Sequence, residues 1–283
     1  MNSLLFSILA STLIFVIFKL FQKFKIDVFQ AVVFNYFSAF TCGYLFFNSD
    51  FQQDIRLETW WYYALILGTL FIVIFNFMGR SSQSNGIGLT SIATKMSLLI
   101  SIIFTILYYN ESVTIFKILG IISAVASIIF VSFPKKGAKL KESGILLIIF
   151  LGSGLIEIII GLTNKTVISS DLQSVFTASS FLAAGIMGFI VFIIQVLRKK
   201  TKFHLKSILA GLILGIPNFF SIYALYVALE GGFLEPSSIF GIMNISIVVL
   251  SFIIGILFFK EKVKTIHYFG VIMAIAAIAF FMQ

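Results

Sequence analysis

Apolar residues run in ten blocks, at about 2–18, 28–47, 60–79, 87–109, 113–133, 143–163, 174–197, 207–229, 237–259 and 264–282, and polar or charged residues gather in the gaps between them. Each block approaches the ~20 residues an α-helix needs to cross the hydrocarbon layer. The pattern therefore predicts an all-α integral membrane protein of ten transmembrane helices. The gap after the third block is rich in Ser, Gly and Asn, and the next, Asn110 to Ser112, is a tight turn. Pro, Gly and several lysines over Pro134 to Glu142 mark the division between two halves.

Those halves are copies. Ser91 to Phe130 recurs about 150 positions later as Gly241 to Phe280, so that Ser101 meets Ser251, Glu111 meets Glu261, Val113 meets Val263, Gly120 meets Gly270, Ala124 meets Ala274 and Ala126 meets Ala276. The expected organisation is a first repeat over 1–134 (helices 1–5), a cytoplasmic linker over 135–142 and a second repeat over 143–283 (helices 6–10). Five crossings is an odd number, so the two copies must run in opposite senses through the bilayer.

A Glu followed by Val and then by an apolar helix with an early Gly, as at Glu111, Val113 and Gly120 and again at Glu261, Val263 and Gly270, resembles the EamA repeat of the drug/metabolite transporter superfamily. The resemblance covers essentially the whole chain when both copies are counted. It implies two inverted five-helix repeats, a carrier activity, and for many relatives export.

Composition narrows the class in the same direction. The chain is 60% hydrophobic and 11% charged, with a mean hydropathy of +1.10, far from the roughly half apolar, quarter charged mixture of soluble domains. Although the net charge is +9, the basic residues sit in short gaps, which reads as a topology signal and not as a nucleic-acid surface. Most lie in the odd-numbered gaps, from Lys19, Lys23 and Lys25 to Lys260, Lys262 and Lys264, while the even gaps hold little more than Arg56 and Lys165. Basic residues resist translocation, so both termini are expected outside the cytoplasmic membrane. Met1 to Phe18 lacks a basic n-region and is expected to remain as the first span. Cys42 is the single cysteine, which rules out an internal disulfide. Neither a metal nor a cofactor is expected.

Ionisable groups at membrane depth cost about 2.5–3.5 kcal/mol on insertion scales and call for a reason. Lys95, in the fourth block, and Glu157, in the sixth, are both too deep for easy escape to water. Lys95 shares a helical face with Ser91, and Thr94 and Ser101 define a neighbouring polar stripe. Lys95 either snorkels, pairs with Glu157 for neutrality, or serves as an anion hook for a substrate carboxylate or phosphate. A basic residue here also resembles superfamily members that take anionic or zwitterionic metabolites. Glu157 resembles the membrane-embedded Glu of the small multidrug resistance branch, which alternately holds a proton or a cation. Its other reading is a protonated acid hydrogen-bonded between helices. Ser7 stands near the matching place in the first repeat, and Ile245 aligns with Lys95, so neither charge is duplicated.

Pro217 removes a backbone donor inside the eighth block, predicting a kink or a local opening with Asn218 as an available donor and acceptor. Asn244 aligns with Thr94. Asn35, Tyr36, Asn76, Thr177, Ser179 and Ser180 are further polar groups that line a cavity or join helices. Glu111 and Glu261 lie at span ends and read as helix-terminus or gate-side structure. Trp60, Trp61, Tyr62 and Tyr63 are expected as a headgroup belt, and the many Phe residues as lipid-facing bulk.

A transporter of a small metabolite, with a zwitterion such as an amino acid as the coherent substrate, leads these expectations. It would work by alternating access within the lipid bilayer, with a proton as an optional coupling ion and as a monomer or homodimer. A proton-coupled exporter of drugs or other cations is the variant, and a noncatalytic scaffold the third class. An intramembrane enzyme lacks parts, because neither His204 nor His267 lies in an HExxH or GxSxG motif.

Overall fold

The structure is a computed structural model and describes residues 1–46, 60–84, 93–131, 143–168, 172–259 and 265–283. All regular structure among them is helical. In chain order the helices are α1 (Asn2–Phe24), α2 (Val28–Phe46), α3 (Trp61–Ser84), α4 (Leu98–Tyr109), α5 (Ile115–Val131), α6 (Ser143–Thr166), α7 (Gln173–Leu197), α8 (Leu205–Glu230), α9 (Pro236–Phe259) and α10 (Thr265–Phe281). Among the described residues seven are long and apolar enough to cross a membrane, namely α1, α2, α3, α6, α7, α8 and α9. The described chain is thus all-helical, and these seven helices are long and apolar enough for a multi-pass membrane protein. The division expected at 135–142 lies outside the described residues.

Helix ends follow local chemistry. Lys25 closes α1 in the left-handed conformation (φ 54°), and the amides of Lys25 and Ile26 return to the carbonyls of Gln22 and Phe21. Asn110 does the same after α4 (φ 52°), where a short polar side chain tolerates that geometry and turns the chain sharply toward α5. The fourth block, expected as one continuous helix, is interrupted. A helical turn over 93–96 is followed by a turn residue, Ser97, whose hydroxyl takes the Thr94 carbonyl at 2.6 Å while its own carbonyl accepts the Ile100 amide at 2.9 Å. A serine that bonds back to the preceding turn competes with the ordinary i to i−4 ladder. Conversely, α8 runs unbroken through Pro217, so the opening expected there is absent.

Small residues set the closest approaches. Gly211 and Gly215 of α8 lie against the carbonyls of Ala31 and Asn35 of α2, and the Ser38 hydroxyl donates to the Leu212 carbonyl at 2.6 Å, so these two helices pack in parallel. Gly68 of α3 lies against the Ser180 carbonyl, and Gly188 of α7 against Ile72, giving a second parallel pair. Three pairs run antiparallel. In α2 and α7, Gly43 meets Ala178 while Tyr36 meets Gly185; in α5 and α10, Gly120 meets Phe281; in α4 and α9, Glu111 meets Ser237 beyond one end.

The core is aromatic to an extent the sequence did not suggest. Tyr36, Phe71 and Phe181 stack mutually, with centroids 5.2–6.4 Å apart, and Phe219 lies 6.5 Å from Phe181. Phe176, Phe181, Phe192, Phe219 and Phe240 are all buried. Part of the phenylalanine complement thus fills volume between helices, where its rings stack and interdigitate. Trp60 too is buried, stacked on Trp61 at 4.5 Å and edge-on to Phe176, whereas Tyr62 is exposed.

Candidate functional site

Lys95, Glu157 and Asn244 come together. The turn before α4, the middle of α6 and the first half of α9 each contribute one of them, so residues from both halves of the chain meet. Glu157 lies 14 residues past the start of α6, about 21 Å at 1.5 Å per residue, which places it deep within the helix. Lys95 and Glu157 are buried at 8% and 9% exposure, and Ser101 and Asn244 are fully enclosed.

The connections are specific. Lys95 Nζ donates to Asn244 Oδ1 at 3.0 Å. Asn244 Nδ2 donates to Glu157 Oε1 at 2.8 Å and to the Phe240 carbonyl at 3.1 Å, which uses both of its N–H groups. Ser101 Oγ donates to Glu157 Oε2 at 2.5 Å. The Phe15 ring of α1 lies 5.4 Å from Lys95 Nζ, within reach of a cation–π contact. Reversing the Asn244 amide would aim its NH2 at an ammonium and its oxygen at a carboxylate, so the two charges fix its orientation.

Lys95 and Glu157 do not touch. Among the described residues the ion pairs join Lys117 to Glu111 and to Glu235. One amide thus stands between an ammonium and a carboxylate, and each keeps hydrogen-bonding capacity beyond the bonds just named: Lys95 has three N–H groups and Glu157 about four lone-pair positions. Such an arrangement can exchange its internal partners for the opposite charges of a bound molecule.

The other expected residues fall elsewhere. Asn218 Nδ2 donates to Asn35 Oδ1 at 3.1 Å, and Asn35 Nδ2 to the Val32 carbonyl at 3.4 Å, a pair that joins α8 to α2. Tyr36 belongs to the aromatic stack and its buried hydroxyl finds no partner among the described residues. Thr177 and Ser180 bond back to carbonyls of their own helix. Thr94 is half-buried one residue before Lys95. Ser91 and Glu261 lie outside the described residues. Glu111 is a helix-terminus residue, as expected: its Oε1 accepts the Ser237 amide at 3.3 Å at the start of α9. Ser101 was legible only as part of a polar stripe, and its bond to Glu157 follows from how α4 and α6 meet. Phe15 carried no sequence signal.

No protein-family model matches the sequence. An uncharacterized protein of Haemophilus influenzae is 30% identical over 290 residues, covering 98% of this chain and 96% of that one. A protein of known crystal structure, 12% identical, shares the fold with a TM-score of 0.74 across 99% of this chain and 96% of that one.

Proposed function

The chain belongs to one family with the Haemophilus influenzae protein, and we propose that it is a membrane transporter that moves a small zwitterionic metabolite by alternating access. The observation that carries the proposal is the buried network in which Asn244 separates Lys95 from Glu157. Deeply placed ionisable groups are expensive and are kept where a substrate or ion pathway uses them. Lys95 takes the substrate carboxylate, Glu157 takes its ammonium, and Asn244 hands each charge over as the ligand enters.

Helix packing supports an inverted repeat of EamA type. Exchanging α1–α5 for α6–α10 turns the parallel α2/α8 pair into the parallel α7/α3 pair, and leaves α2/α7, α4/α9 and α5/α10 each paired with itself in antiparallel fashion. That is the relation expected of two units facing opposite ways, and it would let two halves trade conformations around a central site. On this reading all ten helices cross the cytoplasmic membrane, and the excess of lysine in the odd gaps keeps both termini outside. Export is the direction that fits the EamA resemblance.

A thermal-shift screen of purified protein against amino acids, nucleosides, organic phosphates and cationic drugs tests the substrate class, because a ligand stabilises only the state it binds. Amino acids are expected to raise the melting temperature, with about 2.7 kcal/mol of stabilisation at 100 times the dissociation constant. A response confined to cationic drugs would replace the zwitterion with a cation held by Glu157 alone. No response in any class, together with no flux in proteoliposomes, would remove the carrier.

A further inference from the structure

A second cluster of charges lies where the α4–α5 turn and the first turn of α5 meet the start of α9. Lys117, in the first turn of α5, is 5% exposed and donates to Glu111 Oε2 at 2.9 Å; its ammonium also contacts Glu235, just ahead of α9. Glu111 reaches further, accepting the Ser237 amide at 3.3 Å and the Ser237 hydroxyl. The Thr114 hydroxyl accepts the Lys117 amide at 3.1 Å, so this lysine stands at the N-terminal end of α5, where the helix dipole disfavours a cation. A buried cation in that position is held by its two carboxylates and not by the helix that carries it.

The start of α9 is capped by a carboxylate 126 positions earlier in the chain. Caps are ordinarily local, so this one lasts only while the α4–α5 turn stays against α9. Ser237 and Asn244 lie seven residues apart on α9, about 10 Å along the axis, and Ser101 lies ten residues before Glu111, about 15 Å along α4. The same two helices are therefore tied together beyond one end of the Lys95–Glu157 network.

We propose that Glu111, Lys117, Glu235 and Ser237 form an ionic clasp that shuts one end of the route to that network and releases when the site opens to that side. The clasp rests on the carrier reading, since a protein with no access change has no use for a releasable cap. Two carboxylates share one ammonium, which makes the tie strong with Lys117 present and repulsive without it.

Thr105 gives a reporter. It is enclosed, and lies four residues from Ser101 toward Glu111 on the same face of α4. In a Cys42→Ala background, Thr105→Cys in the purified full chain is treated with a small water-soluble thiol reagent and the rate of modification is measured. Lys117→Met is expected to raise that rate about tenfold, a shift within the usual range of coupling between two states. Lys117→Arg is expected to keep it slow. Should Lys117→Met fail to fold, Glu111→Gln carries the same expectation, because it removes one of the two carboxylates that hold Lys117 and weakens the charge-assisted bonds to Ser237. Ser180→Cys, buried on α7, serves as the control. An unchanged Thr105→Cys rate, or an equal rise at Ser180→Cys, overturns the clasp. The labelling needs no substrate, so its outcome is separate from that of the ligand screen: a fixed rate with sound transport removes the clasp alone, and absent transport removes the carrier.

Discussion

Replacing Lys95 by methionine is expected to destabilise the protein by about 3 kcal/mol, because it leaves the buried Glu157 carboxylate without a compensating charge. Glu157→Gln is expected to act in the same direction, stranding the ammonium instead. The double variant Lys95→Met/Glu157→Gln should regain most of the loss, since two neutral groups of similar size replace two charges and Asn244 Nδ2 still has an amide oxygen at position 157 to donate to, the unpaired Asn244 Oδ1 accounting for the remainder. Binding separates the two explanations for the pair. If the charges serve only to neutralise each other, the double variant behaves as wild type in every assay. If they hold the substrate, it melts near the wild-type temperature and yet gains nothing from the amino acid that stabilises the native chain. Thermal denaturation with and without ligand across the four proteins reads both quantities. A double variant that still responds to zwitterions would end the assignment of Lys95 and Glu157 as ligand groups.

How far the sequence leads is clearest at these residues. Lys95 and Glu157 were recoverable from hydropathy, because a charge within an apolar block needs a partner, and Asn244 from the repeat, which sets it opposite Thr94. Ser101 was half legible. The element boundaries were legible wherever the chain changes from apolar to polar, as at Asn110 and before Pro236. What escaped has a common cause: it depends on how helices meet and not on which residues they hold. Lys117 reads in sequence as one more lysine near a span end, and only the fold brings Glu235 to it. The break at Ser97 is a choice between two hydrogen bonds open to any serine, while Pro217, the stronger signal for disruption, is accommodated within α8. Hydropathy likewise cannot tell a phenylalanine that faces lipid from one that stacks against Tyr36, since both are apolar positions on an apolar helix.

The contact between α2 and α8 carries the other large expectation. A β-carbon at Gly211 would stand 2.2 Å from the Ala31 carbonyl oxygen, and one at Gly215 would stand 2.4 Å from that of Asn35. Neither obstacle is the flexible end of a side chain, so the two backbones must part. Parting them also strains the Ser38 bond to the Leu212 carbonyl and the Asn218 bond to Asn35, which hold the same pair together. Gly211→Ala and Gly215→Ala are each expected to cost about 2–3 kcal/mol, at the upper end of overpacking losses, despite adding a single methyl group of high helix propensity. Gly144→Ala is the matched control: nothing lies within 4 Å of the added carbon, so the same change should be neutral or stabilise by about 0.5–1 kcal/mol. Because α2 comes from the first half and α8 from the second, the loss at Gly211 measures how firmly the halves are joined, away from any charge. Equal melting temperatures for Gly211→Ala and Gly144→Ala would mean that α2 and α8 do not meet, and with that contact would go the parallel pair that supports the proposed inverted repeat.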